Sequence, residues 1–404
     1  MKYTKQEVLQ FVKEEDVKFV RLAFCDVFGK QKNISIMDKE LPRAFEYGIA
    51  IDASAIDGFG DEAHSDLFLH PDPSTLVVLP WRPEHGRVVR MYCDITYPDG
   101  RPFEGDTRHI LKEAIRQADE AGFSFKFGPE MEFYLFKLNE KGYPTQETYD
   151  NAGYMDIAPR DKCENIRREI CLTLEQMGID PESSHHEEGP GQNEIDFRYS
   201  FPLEAADNAM TFSAMVKAVV HRNGIAADFS PKPLDNAPGN GLHINFSVRS
   251  RDGEDVIKPT IAGILNHIRE MTLFLNHVPK SYERLGKEKA PSYVSWSPQN
   301  RSQLIRIPAA VGEFERAELR SPDPYANPYL AFALIIYAGL EGIKRRSRLP
   351  KPANINFFTA SDEVLSKYPR LPLSIEEAIQ VTANSKFIKK YLPAKIISAY
   401  CNQR

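Results

Sequence analysis

Two glutamates stand two residues apart in Gly128-Pro129-Glu130-Met131-Glu132-Phe133. Alternate side chains of an extended strand share a face, so both carboxylates point one way while Met131, Phe133 and Leu135 pack the other. Carboxylates that close repel unless a cation lies between or beside them, although a solvated strand face produces such pairs too. A second cluster, His185-His186-Glu187-Glu188-Gly189-Pro190-Gly191-Gln192-Asn193-Glu194, gathers acids and imidazoles around a glycine-rich turn. Alternation resumes at Glu194-Ile195-Asp196-Phe197, so Glu187 and Glu194 can flank a hairpin and converge. His243 lies where the loop Gly239-Asn240-Gly241-Leu242 enters a strand, a place more often held by a satisfied core histidine than by a ligand. Arg316, Glu318 and Arg320 share one strand face, which a surface ion-pair ladder would also explain.

Oxygen ligands with one imidazole suit magnesium or manganese rather than a thiolate-rich zinc site. Two such ions would serve an ATP-dependent reaction, because they neutralise phosphate charge and hold a transferring phosphoryl group. Arg284, Arg301, Arg306 and Arg320 offer planar donors for carboxylate or phosphate oxygens. No Walker loop and no dinucleotide-binding glycine fingerprint competes with this chemistry.

The elements that must position these groups follow from periodicity. Thr4 and Glu7 form a capping-box pattern that starts a first helix. Val17 to Phe24, KQKNISI, TLVVLP and RVVRMYCDI read as strands, with a turn at Pro98-Asp99-Gly100. This places a small strand-rich domain at residues 1–103 and a second domain at 104–404. In the second, helices are expected at 107–122, 162–177, 209–223, 260–276 and 327–345. Strands are expected at 130–138, 225–230, 243–249, 302–308 and 313–320, and a loop at about 350–374 precedes short terminal helices. The mixed order predicts an α+β fold with a largely antiparallel sheet.

Bulk properties exclude several other classes. The net charge of -6, from 57 acidic and 51 basic residues without a basic block, argues against nucleic-acid and anionic-membrane partners. The five cysteines, Cys25, Cys93, Cys163, Cys171 and Cys401, include no C-x-x-C pair, and an odd count is no secreted disulfide framework. With no signal-peptide core and no apolar stretch of about 20 residues, a cytoplasmic enzyme is the expectation.

In this order the motifs resemble the glutamine synthetase family. Asp52-Ala53-Ser54-Ala55-Ile56 is similar to its D-G-S-S-I segment, and Pro71-Asp72-Pro73-Ser74-Thr75 to its P-D-P-S-T. GPEMEF, HHEEGPGQNEI, Pro231-Lys232-Pro233 leading to His243, NRSQLIRIP and ERAELRSPDPYANPYLAFA follow in sequence. The resemblance implies an N-terminal β-grasp-like domain before a catalytic domain whose curved sheet is flanked by helices. It implies two or more divalent cations, magnesium or manganese: one held by Glu132, Glu187 and Glu194, the other by Glu130, His243 and Glu318. It further implies Arg301 and Arg306 on phosphoryl oxygens of ATP, Arg284, Arg320 and Gly239 at the acid substrate, and Tyr199 with Ser247 on the nucleotide side. Asp52 would enter a neighbouring subunit's funnel and deprotonate the amine, with Arg301, Glu318 and Arg320 acting at the reacting groups. The implied reaction makes glutamine from glutamate, ammonia and ATP through an acyl phosphate, in homo-oligomeric hexameric rings.

Four departures qualify the carry-over. Where the family reads N-G-S-G-M-H this chain reads Pro238-Gly239-Asn240-Gly241-Leu242-His243. Lys289 stands where the flap has glutamate in E-A-P, although Glu288 is adjacent. Asn245 replaces a frequent histidine, and the family tail that locks two rings into a dodecamer has no match up to Arg404. The tyrosine that enteric enzymes adenylylate has no match in Asn354 to Ser361. Three readings stand: glutamine synthetase, a γ-glutamyl–amine ligase taking methylamine or a polyamine, and a non-catalytic relative.

Overall fold

The computed structural model describes residues 3–60, 63–82, 85–309 and 316–403. Helix α1 (Lys5–Glu14) begins at the predicted capping box: Thr4 accepts from the Glu7 amide, and Glu7 accepts from the Thr4 amide. The first sheet comprises β1 (Val17–Cys25), β2 (Gln31–Met37), β3 (Ile49–Asp52), β4 (Asp66–Pro71), β5 (Val77–Val78) and β6 (Arg87–Thr96), with α2 (Leu41–Tyr47) between β2 and β3. Its order is β2-β1-β6-β4-β3 with β5 beside β6, and β1 runs parallel to β6. The expected strand TLVVLP shrinks to Val77–Val78, because Asp72 caps a 3-10 turn over Pro73–Thr75.

The second sheet holds β7 (Phe123–Leu138), β8 (Pro144–Thr148), β9 (Pro181–His186), β10 (Gln192–Phe197), β11 (Ile225–Asp228), β12 (Leu242–Ser250), β13 (Trp296–Pro298), β14 (Ile305–Ile307) and β15 (Ala317–Leu319). Its order is β13-β14-β15-β12-β7-β10-β9, with β8 and β11 also on β7. Among the described residues only β13 and β14 of this sheet pair in parallel, so it is largely antiparallel as the pattern predicts. Interleaved helices are α3 (Thr107–Glu120), α4 (Glu164–Gln176), α5 (Pro202–Arg222), α6 (Ile257–Leu275), α7 (Pro279–Arg284) and α8 (Pro328–Lys344). Then α9 (Asp362–Leu365), α10 (Ile375–Asn384), α11 (Lys386–Tyr391) and α12 (Ala394–Cys401) end the chain. The expected loop at 350–374 therefore contains one short helix. Helix α5 begins seven residues earlier than predicted, with Pro202 in its first turn, where a missing N–H costs nothing. The strand expected at 302–308 is shorter because Asn300 turns the chain by accepting from the Ser302 amide and hydroxyl. Of the strand expected at 313–320, residues 313–315 lie outside the described residues.

One face of β7 buries Met131, Phe133 and Leu135, as alternation requires. Behind the sheet, α6 and α8 cross at Gly263 and Gly342, where a Cβ would meet Ala338 O or Pro259 O at 2.1 Å. The two sheets are joined through buried Arg108, which reaches Asp72 at 2.9 Å, Asp94 at 3.0 Å and Asp207 at 3.0 Å. Tyr329 Oη donates to Asp207 at 2.7 Å. All five cysteines are free, and no helix among the described residues is long and apolar enough to cross a membrane.

His277 lies in the seam between the first domain and α12, stacked 5.8 Å from Phe28 and edge-on to Tyr400. Burial, with Lys30 nearby, pushes its pKa from 6.5 down to about 4. Between those values the unfolded chain binds a proton that the folded one refuses, so stability should fall as pH drops through that window, by about 3 kcal/mol in all. His277→Phe should flatten this part of a melting-temperature-against-pH curve, and an unchanged slope would assign the acid sensitivity to other groups.

Candidate functional site

Strand register builds the site. On β7, Glu130 faces His243 of β12 on one side and Asp196 of β10 on the other. Glu132 faces Glu194 of β10, which faces His185 of β9. Across β12, Asn245 faces Glu318 of β15, and Glu318 faces Arg306 of β14. Antiparallel pairing thus sets acids and imidazoles side by side on one sheet face while the other face packs the core.

The six predicted ligands gather there. His243 Nδ1 lies 3.5 Å from Glu130 and 3.7 Å from Glu318, and Nε2 lies 3.9 Å from Glu132. Ligand atoms of Glu130, Glu194 and His243 all fall within 4.8 Å of one another, as do those of His185, Glu187 and Glu194. Glu194 therefore belongs to both groups, and the second includes His185, to which the sequence reading gave no role. Glu132 is steadied by the Gly241 amide at 2.8 Å and by Gln192 at 3.2 Å.

Burial and crowding set the electrostatics of these acids. Burial, then Glu132, raises Glu187 to about 7. Burial, then Asp196, Glu132 and Glu130, raises Glu194 well above the usual range. Asp196, which the sequence reading also left without a role, is lifted to about 7 by burial and by Glu130. Its place two residues from Glu194 on one strand face was the available signal. Such crowding favours a cation, and oxygen donors with imidazole fit a magnesium- or manganese-sized ion. Glu318 differs. Burial opposes its charge, but Arg320, His243 and Arg306 outweigh that and hold it at about 2. Arg306 Nη1 donates to Glu318 at 2.6 Å and Arg320 Nη1 to its other oxygen. No surface ladder forms: Glu318 and Arg320 are buried, and exposed Arg316 lines a cavity instead.

That cavity, about 430 Å³, is lined by Glu130, Asp196, Tyr199, Asn245, Ser247 and Arg316. Lys126 Nζ also lines it, 5.1 Å from the Tyr199 ring centroid. Asn245 Nδ2 donates to Glu130 at 2.6 Å. A larger cleft of about 1590 Å³, between the 57–60 turn and α5, contains none of the predicted site residues.

Arg284, buried at the end of α7, donates to Ser321 O at 2.8 Å. A Cβ on Gly239 would meet Pro231 O at 2.4 Å and Arg284 Cγ at 2.9 Å, so only glycine fits. Asn240 points inward, donating to Ser230 O at 2.9 Å and Asp228 O at 3.1 Å, and Pro238 O accepts from Tyr134 Oη at 2.6 Å. Arg301 is exposed on the turn before β14. Asp52 is not brought to the cluster. It sits at the exposed end of β3 in the other sheet, where Ser54 donates to it at 2.6 Å. Behind the 187–191 turn, Asp150, Asp161, Cys163 and His186 form a further buried group. Its charges are already met: His186 joins Asp150 at 2.9 Å and Glu187 O at 2.7 Å, and Arg167 pairs with Asp161. This group supports the turn.

Two family models match the chain: the glutamine synthetase β-grasp domain over residues 16–98, and the glutamine synthetase catalytic domain over 104–404. A glutamine synthetase of Methanosarcina mazei is 47% identical, covering 98% of this chain and 92% of the relative. One from Clostridium saccharobutylicum is 43% identical over 99% and 94%, and one from Staphylococcus aureus 41% over 100% and 94%. Among solved structures, a GmaS/ADP complex superposes with a TM-score of 0.88 at 27% identity, covering 97% of this chain and 93% of that one.

Manganese added to the protein alone should raise its melting temperature, since a ligand bound only by the folded state contributes about 2.7 kcal/mol at a hundredfold excess over Kd. Glu194→Gln removes the carboxylate common to both groups and should cut that shift to about half or less. An undiminished shift across a manganese series would place the cation elsewhere.

Proposed function

This chain belongs to the glutamine synthetase family, and from that membership we propose that it joins glutamate to ammonia with ATP, forming glutamine through γ-glutamyl phosphate. The observation that carries the reading is the convergence of Glu130, Glu132, Glu187, Glu194, His243 and Glu318 on one sheet face beside the Tyr199–Ser247 cavity. The domain division at residues 103 and 104 goes with it, supported by the two separate sheets.

Divalent cations bound by those six groups would offset phosphate charge. The Tyr199 ring, with Ser247, is suited to the nucleotide end, and a structural neighbour is an ADP complex. Arg301 and Arg306 are assigned to phosphoryl oxygens, and Arg284, Arg320 and Gly239 to the acid. The glutamate carboxylate attacks the γ-phosphorus and ADP leaves. The free amine then forms the N–C bond, the C–O bond to phosphate breaks with its electron pair, and the amine proton goes to a base. Asp52 is that base in our reading, supplied by a second copy, because within one chain it stands on the other sheet with its carboxylate exposed. A homo-oligomer follows as part of the proposal, a hexameric ring being the simplest closed form, in the cytoplasm.

The γ-glutamyl–amine ligase reading stands as the alternative: two solved neighbours bear the name GmaS, and Pro238 and Lys289 depart from the family pattern, while the Asn240 amide is engaged inside the protein. With magnesium or manganese, ATP, glutamate and ammonia, the protein should release phosphate and form glutamine, and release only with a larger amine would favour the rival. Glu130→Ala and Glu318→Ala should each lower turnover by about a thousandfold or more with an unchanged circular dichroism spectrum.

A further inference from the structure

Strand β7 carries functional positions beyond its two acids. Side chains alternate along a strand, so Lys126, Gly128, Glu130 and Glu132 share one face. A short antiparallel bridge sets the Lys126 end. Phe127 N–H donates to Ser200 O at 3.0 Å, and Ser200 N–H donates to Phe127 O at 2.9 Å. That pairing puts Gly128 opposite Tyr199 and Lys126 opposite Phe201, on the face turned away from buried Phe127. A Cβ on Gly128 would lie 3.3 Å from Tyr199 Cβ, so the glycine lets the ring-bearing segment lie close. Two large rings are left half in solvent there, Tyr199 and Phe201 being 47% and 54% exposed. The Lys126 ammonium lies over both, 5.1 Å and 5.2 Å from their centroids. A cation this close to a ring face is attracted by the ring quadrupole and restrains the ring. Among the described residues Lys126 has no carboxylate or carbonyl partner, although Glu182 and Asp196 line the same cavity, and Asp196 accepts from Ser183 instead. Its charge is spent on the rings, and the rest of the Tyr199 ring stays open to the cavity.

Position along the strand decides which end of a nucleotide Lys126 serves. It stands four residues from Glu130, about 13 Å at roughly 3.3 Å per residue. Charges that far apart are largely screened at physiological salt, where the Debye length is about 8 Å. With phosphates at the Glu130 and Glu318 end, Lys126 stands beside the base and is too distant to act on them by charge. We propose that Lys126 is a positioning residue for the nucleobase: it pins the Tyr199 ring as the platform on which the base of ATP or ADP stacks. The inference rests on the ATP-dependent reading above and specifies how this chain holds the base.

The test measures the binding of ADP and of inorganic tripolyphosphate, each with magnesium, by calorimetry at about 0.15 M salt. Tripolyphosphate carries the charge and no base. Lys126→Met keeps the aliphatic stem and removes the ammonium. It should weaken ADP by about fivefold or more and move tripolyphosphate by about twofold at most. Lys126→Arg still places a cation on the ring and should restore most of the ADP affinity. Tyr199→Ala should weaken ADP by about tenfold, as the loss of one base–aromatic stack does. Adding Lys126→Met to it should cost ADP nothing further, because the platform is already gone. An ADP affinity unmoved by Lys126→Met, an equal loss for both ligands, or a further loss in the Tyr199→Ala background would overturn the role of Lys126. Binding is read without turnover, so a protein that shows this pattern yet makes no glutamine would sink the ligase reading and leave the platform standing.

Discussion

Like charge held at close range is the constraint to which the rest of this molecule answers. Glu130, Glu132, Glu194 and Asp196 crowd one face of a sheet with Glu187 on the turn beside them, and burial lifts several of them far above the usual carboxylate range. A flexible loop would relieve that repulsion by moving its side chains apart. A sheet cannot, because its register is fixed by backbone hydrogen bonds and its reverse face is committed to Met131, Phe133, Leu135 and the helices behind. The acids stay together because the core does not allow them to separate, which is the preorganisation that a cation site needs.

Glu318 shows the opposite solution to the same burial. Its two oxygens are met by Arg306 and Arg320, so it is ionised where Glu194 resists ionisation. The same guanidiniums are the ones assigned to phosphate and substrate carboxylate. They are kept in place by an acid of the protein, so little side-chain freedom remains to be lost when an anion arrives. Sheet register thus holds the crowded acids, and paired charges hold Glu318 with its two arginines.

How much of this was legible in the sequence depends on how local the signal was. The Glu130–Glu132 pair and the apolar residues between them declared a two-faced strand, and the glycine-rich turn between Glu187 and Glu194 declared a hairpin. Their mutual register did not. Nothing local says that His243 will lie opposite Glu130, because that pairing joins segments more than a hundred residues apart; only the ordered family resemblance connected them. Asp196 and Lys126 went unassigned although both sit at even offsets from site residues on their strands. The short strands near Val77 and Ile305 were overestimated because side-chain caps from Asp72 and Asn300, not apolar pattern, decide where those segments turn.

Departures from a family pattern carry different weight according to where their side chains point. Asn240 lies in a loop that would touch substrate, yet its amide hydrogen bonds close the loop onto Asp228 and Ser230, so the substitution is accommodated within the protein. Asn245 likewise spends its donors on Glu130 and the Gly128 carbonyl, orienting an acid of the cation site. Lys289 is the exception: it is half exposed and pairs with Glu188, beside the turn that carries Glu187. Glu188 fixes where that group stands, and Glu288, tied to Lys232, holds the other side of the 286–290 turn. The interior is set by sheet register, whereas this turn is set by its own backbone hydrogen bonds and two side-chain ion pairs.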